Sequence, residues 1–212
     1  MSPTTIGFSA IVLAAGSSSR MRGANKLLLP MGGEPLIRRT VRAVLGAQPE
    51  ELVVVTGFAD RAVRQALAGL PIHLRTNAAF EQGQMSSVAV GARALTMATD
   101  AVMVCLGDMA LLDGADYREL IEVFARLEDR SIVVPLFGAQ RGNPVVMAWR
   151  HLPGLFSGQP NLGCRKLILD RPQEVFAYQA AHDRFVVDVD TPEDYAFIAQ
   201  RLAAADRPVG TR

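Results

Sequence analysis

The stretch whose reading decides the fold is Leu13-Ala14-Ala15-Gly16-Ser17-Ser18-Ser19-Arg20-Met21, continued at Asn25-Lys26-Leu27-Leu28. The apolar run Ile6–Leu13 that leads into it reads as a buried strand. Small residues at the end of such a strand allow close backbone approach, and a hydroxyl-rich turn offers N–H groups to phosphate oxygens. Arg20 and Lys26 add the charge that a phosphate needs. Two common phosphate loops fail on spacing. A Walker A loop wants a second glycine where Met21 stands, and a dinucleotide fingerprint wants glycines where Ser18 and Met21 stand.

Working outward, short β-branched runs alternate with longer amphipathic stretches. Strands are expected at Glu51–Thr56, Pro71–Arg75, Ala101–Leu106, Ser131–Val134, Pro144–Trp149, Glu174–Tyr178 and Phe185–Val189. Helices are expected at Glu34–Leu45, from Asp60 as cap through Leu67, and at Ser86–Met97. Further helices are expected at Ala115–Leu127 (opened by Asp113 or Gly114), Asn161–Leu169 and Pro192–Ala204, the last capped by Thr191. Continuous apolar strands separated by helices imply a mostly parallel sheet covered on both faces, an α/β/α arrangement. Ligands in such folds sit outside the carboxyl ends of the strands, so the residues following each strand carry the most information.

The 212 residues suit one large domain, expected over 1–206, with 207–212 as a loose tail. Half the residues are apolar, enough for a substantial core. With 22 basic and 21 acidic residues the net charge is +1, which argues against broad binding to nucleic acid or a membrane surface. Two cysteines make neither a zinc quartet nor a secreted disulfide framework. Without a visible signal sequence or a spanning apolar run, a soluble cytoplasmic protein is expected. His73, His151 and His182 are scattered without ligand spacing, and no Ser–His–Asp set can be argued from them. Cys105 reads as core. Cys164, beside Arg165 and Lys166, sits where its pKa could be lowered, with no base nearby.

The whole string from Leu13 to Lys26 resembles the signature of the MobA-like nucleotidyltransferases. The resemblance continues through Asn77–Val88, Leu106-Gly107-Asp108-Met109, Arg141-Gly142-Asn143-Pro144-Val145 and Asp188–Asp194, in family order. It implies a Rossmann-like three-layer α/β/α nucleotidyltransferase domain with a mostly parallel sheet. It implies nucleotide binding at Leu13, Ala14, Ala15, Gly16, Ser17, Arg20, Lys26, Gly83, Ser86, Ser87 and Asp108, with the backbone at Leu13–Ala15 able to read a base edge. Ser86 could equally be a helix N-cap. Arg20, Lys26 and Asp108 are the implied catalytic residues, and Asp108 and Asp190 the carboxylates for Mg²⁺, or Mn²⁺. Two carboxylates plus phosphate oxygens are what such an ion takes. Asp188 reads as orienting Asp190 or capping a loop, and Asp194 as serving the helix start. Arg141 and Asn143 are the candidate acceptor contacts.

The combination of blocks most resembles the branch containing molybdenum cofactor cytidylyltransferase (MocA-like). That implies CTP and a molybdopterin-type acceptor as substrates, release of pyrophosphate, and a transient complex with a molybdenum hydroxylase. Two positions depart from the pattern: Ala110 stands where relatives usually carry proline, and Asn143 where histidine is common. GTP, or a phosphorylated sugar, polyol or hydroxy acid, would suit the same machinery. A non-catalytic cofactor carrier and a nicotinamide-dependent oxidoreductase are the rivals from other classes; the missing dinucleotide fingerprint counts against the latter.

Overall fold

A computed structural model describes residues 6–21, 24–156 and 163–205. In chain order the regular elements are β1 (Phe8–Ala14), β2 (Pro30–Met31), β3 (Glu34–Pro35), α1 (Leu36–Gly46), β4 (Glu51–Thr56), α2 (Asp60–Ala66), β5 (His73–Thr76) and α3 (Gln84–Ala94). Then follow β6 (Ala101–Leu106), α4 (Gly114–Ala125), β7 (Ile132–Phe137), β8 (Gln140–Arg141), β9 (Val145–Ala148), α5 (Gly163–Asp170), β10 (Val175–Gln179) and α6 (Pro192–Ala205). The main sheet has the order β10-β7-β9-β6-β1-β4-β5, with β8 paired to β7, while β2 and β3 form a separate antiparallel pair.

Every residue of β1 is buried, because the strand packs on both sides. Ala10, Val12 and Ala14 join the core under α1, α4 and α6, whereas Ile11 and Leu13 join the core under α3 and α5. The alternation of one strand between two cores makes this a three-layer α/β/α fold. Truncating Ile11, which is fully buried, to alanine should destabilise the fold by roughly 2–5 kcal/mol. β1 lies between β4 and β6 and is parallel to both. The chain builds outward from β1 to β4 and β5 on one side and to β6 on the other, so the β1/β6 boundary is the topological switch point.

The sheet is mixed at the short β8, which runs antiparallel to β7, and at β9. β9 runs antiparallel to both β6 and β7. Phe185–Val189 is not a strand. It is a 3₁₀ turn over Asp183–Val186 followed by irregular chain. Phe185 and Val189 are fully buried, which mimics strand alternation, but the backbone pairs with loops: Asn143 N–H donates to the Phe185 carbonyl and Val189 N–H to that of Asp108. Asp60 is not the cap of α2, since Ala59 holds that position; the Asp60 carboxylate instead accepts from Thr56, Arg64 and Thr76. Asp113 caps α4 with Asp116 completing a capping box. Thr191 caps α6 as expected: its hydroxyl accepts from Asp194 N–H, and the Asp194 carboxylate accepts from the backbone of Asp190 and Thr191. Residues 161–162 of the expected fifth helix, and the expected 207–212 tail, lie outside the described residues. No described helix is long and apolar enough to cross a membrane.

Candidate functional site

The loop leaving β1 is shaped by two side chains. Ser18 takes a left-handed conformation at φ 54°, and its hydroxyl accepts from Lys26 N–H at 3.2 Å. Asn25 caps the 3₁₀ turn Lys26–Leu28 by accepting from Leu27 N–H. Lys26 thereby leaves a fixed turn and points across the switch point. On the other side, Asp108 follows β6 after Gly107, which must be glycine. A Cβ there would lie 2.8 Å from the Leu13 carbonyl oxygen and 2.8 Å from Ile37, and Gly107 N–H donates to that same carbonyl at 3.0 Å. The hydrogen bond from Val189 to Asp108 then brings the segment carrying Asp188 and Asp190 onto the same edge.

The result is a cluster of opposite charges. Lys26 Nζ lies 2.6 Å from Asp108 and 2.8 Å from Asp190, and Arg20 lies 2.7 Å from the other oxygen of Asp190. Burial works against the Lys26 ammonium, but Asp108 and then Asp190 outweigh it and hold its pKa above the usual lysine value. Burial likewise works to raise Asp190, and the bonds and charges of Lys26 and Arg20 hold it below the ordinary carboxylate value. Asp188 goes the other way: burial, together with the charges of Asp108 and Asp190, pushes it up. One carboxylate oxygen from each of Asp108, Asp188 and Asp190 lies within 4.8 Å of the others. Asp108 Oδ1 is buried with no hydrogen-bond partner, an arrangement that a bound cation relieves. The donor set is all oxygen and therefore fits Mg²⁺ or Mn²⁺.

These groups sit in a cleft of about 640 Å³ at the carboxyl edge of β1 and β6. Of the residues expected to bind nucleotide, Leu13, Ala15, Gly16, Ser17, Arg20, Lys26, Gly83, Ser87 and Asp108 line it, and so does the expected metal ligand Asp190. Two do not. Ala14 is buried in the core. Ser86 is engaged by Asn77 and donates to the carbonyls of Ala79 and Gly83. Nor does Ser86 cap α3, because Gly83, at φ 95°, holds that position. Asn77 reaches both serines, and Ser87 Oγ accepts from it at 3.0 Å. The structure adds Asp188 to the acidic group and Phe58 and Phe80 to the lining. The period-two alternation around buried Val189 puts Asp188 beside Asp190, a signal present in the sequence.

A second cleft of about 610 Å³ adjoins the first, sharing Gly83, Gln84 and Leu106 with it. Arg141 and Asn143 line it, together with Arg165 and Cys164. No carboxylate lines this second cleft, and neither arginine makes an ion pair among the described residues. Cys164 does not have a lowered pKa; burial pushes its thiol up to about 12. Cys105 is buried, as expected.

The histidines lie elsewhere. His73 is exposed on β5. His151 is buried against Ser131 at 2.8 Å, next to Glu174, where Ser131 precedes β7 and so marks the amino edge, remote from the cleft. In this Ser–His–Glu contact, unforeseen from the scattered histidines, Ser131 and His151 are buried while Glu174 is partly exposed. His182 approaches Asp116 and Glu119, but Arg184 already supplies the cation there, 2.8 Å from Asp116.

The model of the MobA-like NTP transferase domain matches residues 10–175. Among curated proteins, the bifunctional protein GlmU of Kineococcus radiotolerans is 41% identical over 113 residues, 52% of this chain and 23% of that protein. The chain thus spans about a quarter of the length of the curated relatives it matches. Among solved structures, a nucleotidyl transferase from Methanothermobacter thermautotroptrophicus (Mth528) superposes with a TM-score of 0.80 at 26% identity, covering 94% of this chain and 99% of that one. Rv0371c from Mycobacterium tuberculosis H37Rv, solved in complex with manganese, has a TM-score of 0.73 at 23% identity, covering 92% and 98%.

Proposed function

The chain belongs to the MobA-like NTP transferase domain family and is a nucleotidyltransferase, and we propose that within this family it is a CTP:molybdenum–molybdopterin cytidylyltransferase. The observation that carries the chemistry is the convergence of Lys26, Asp108 and Asp190 at the foot of the glycine-loop cleft, with a buried Asp108 oxygen left unpartnered. In this reading the backbone around Gly16 and Ser17 cradles the triphosphate, while Lys26 and Arg20 exchange their carboxylate partners for phosphate oxygens. Asp108 and Asp190, with Asp188 beside them, hold a divalent ion. When bound, that ion neutralises charge on the α-phosphate and on the departing pyrophosphate. The manganese complex of Rv0371c, a protein of the same fold, is consistent with such an ion.

The acceptor lies in the second cleft, contacted by Arg141 and Asn143. Two arginines and no carboxylate suit an anionic molecule. An oxygen of the acceptor's terminal phosphate attacks the α-phosphorus in line, a new P–O bond forms, and the bond to pyrophosphate breaks. A phosphate monoester is already largely anionic near neutrality, so no strong base is required of the protein. Positioning and charge stabilisation do the rest. The choice of CTP and of the molybdopterin-type acceptor rests on the resemblance of the sequence blocks to the cytidylyltransferase branch, and a transient encounter with a molybdenum hydroxylase follows from that choice.

The test is pyrophosphate release by the purified protein with Mg²⁺, each ribonucleoside triphosphate in turn, and molybdenum-loaded pterin cofactor. Release with CTP alone, abolished in Asp108→Ala, is the expected result. Release with GTP instead would move the protein to a guanylyl branch. Tight nucleotide binding without release would indicate another acceptor or a carrier, and Asn143, standing where relatives commonly carry histidine, would be the first residue to change.

A further inference from the structure

Six large apolar side chains are exposed among the described residues, and Phe58, at 39% exposure, is the one of them that lines the first cleft. A partly exposed aromatic ring facing a ligand cleft offers a flat apolar surface to whatever binds there. Its setting is rigid. Gly57 is wedged so closely that a Cβ would stand 2.8 Å from both Ala15 and Phe80, and Phe58 N–H donates to the Ala15 carbonyl at 3.1 Å. Asp60 pins the far side of the turn: its N–H donates to the Gly57 carbonyl, and its carboxylate accepts from Thr56, Arg64 and Thr76. The Phe58 ring meets Phe80 edge-on, with centroids 6.3 Å apart at 62°, which leaves a ring surface of Phe58 for a third aromatic group. The turn is thus tied to the residue preceding Gly16, in the same cleft whose cations suit a triphosphate.

We propose that Phe58, backed by Phe80, is the platform on which the nucleobase stacks, and so a determinant of nucleoside affinity alongside the phosphate contacts. This rests on the reading that the first cleft holds the nucleotide. A platform fixed before binding loses little freedom when it is used, so its contribution falls on affinity for the nucleoside and not on affinity for the phosphates.

The experiment measures equilibrium binding of the four ribonucleoside triphosphates, and of inorganic triphosphate, each with Mg²⁺. It compares native protein, Phe58→Ala, Phe58→Leu and Phe58→Trp. Base–aromatic stacking lost on alanine substitution corresponds to about a 5- to 100-fold loss of affinity for whichever nucleotide binds best. Inorganic triphosphate should bind Phe58→Ala as it binds native protein. Phe58→Leu should restore only part of the affinity, and Phe58→Trp all of it. The new indole fluorescence should be quenched by nucleotide but not by inorganic triphosphate; the natural Trp149, at the amino edge of the sheet, provides a constant background. Phe58→Ala with native nucleotide affinity overturns the proposal, as does an equal loss for triphosphate and nucleotide. Native protein that binds triphosphate as tightly as any nucleotide overturns the platform while leaving the phosphate site intact. A native preference for GTP overturns the cytidine reading and leaves the platform standing.

Discussion

Replacing Lys26 by methionine keeps the length of the side chain and removes the cation that, among the described residues, Asp108 and Asp190 share. The three groups are 13%, 15% and 29% exposed, so this is a partly buried network and not a surface pair. Removing one partner of a fully buried ion pair costs about 3–5 kcal/mol, because the other partner is left charged and desolvated. Arg20 still faces Asp190, but at 68% exposure it recovers at most about 1 kcal/mol. A net destabilisation of roughly 2–4 kcal/mol follows at neutral pH, a fall of about 5–15 °C in Tm for a chain of this length. The sign with pH is fixed by the partners. Lys26, raised above 10.5, contributes fully below that value and loses its contribution only as pH rises through its folded pKa. The difference between native and variant is therefore flat through neutrality and shrinks in acid as Asp190, held below the ordinary carboxylate value, protonates. Millimolar Mg²⁺ should return much of the lost stability to the variant and little to the native protein, since the ion takes the place that the ammonium vacates. Turnover should nonetheless fall about 10²–10³-fold, because a charge worth ~4 kcal/mol at 4 Å is missing from the phosphates. Thermal melts and turnover with and without Mg²⁺ test all of this. A variant that melts like native protein, with no larger response to Mg²⁺, would refute the reasoning.

Other predictions follow from the same geometry. Asp188→Asn should raise the Mg²⁺ concentration needed for half-maximal activity about tenfold while leaving metal-free nucleotide binding unchanged, which titration of the metal against both readouts will check. Arg165→Ala should raise the acceptor KM with little effect on the KM for nucleotide, because Arg165 lines only the second cleft. Glu174 is held down to about 2 by Ser131, Arg171, Arg150 and His151, and His151 is lowered by burial. Both depressed values mean stability present above the unfolded pKa and lost in acid: from about pH 6.5 downward for His151, and between about 4.5 and 2 for Glu174. Glu174→Gln should flatten the acid limb of urea denaturation midpoints below pH 4.5. Asp194→Ala removes the acceptor for two backbone N–H groups at the head of α6 and should lower stability by about 1 kcal/mol and loosen Asp190.

Much of the architecture was legible because its signals are local. The small residues before Gly16, the apolar runs of β1, β4 and β6, and Asp108 one glycine beyond β6 are each read from a few consecutive residues. What escaped depends on distant partners. Phe185 and Val189 look like strand residues, and only the loops that receive their backbone reveal otherwise. The antiparallel course of β9 cannot be read from Val145–Ala148, because burial on both faces looks the same in either direction. Ser131, His151 and Glu174 come from three elements, and no spacing rule joins them. The separation of Ser86 from the cleft lining is decided by Asn77, nine residues earlier.

The reversed strand has a consequence for how this fold can change. Because β9 runs against its neighbours, the chain leaves β7 and enters β9 at the same edge of the sheet, so the link through β8 forms a closed excursion over that edge. Arg141 and Asn143 ride on this excursion, while the glycine loop, Lys26 and Asp108 belong to the parallel half. The tip of this link, residues 138–139, can therefore change without shifting the register of the long strands, whereas Gly142 and Asn143 are held by Pro135 and Phe185 and have to be kept. In the proposed reading this link and α5 serve the acceptor while the parallel half serves the nucleotide, and exchanging the tip of the link tests whether acceptor choice can change while nucleotide choice is kept.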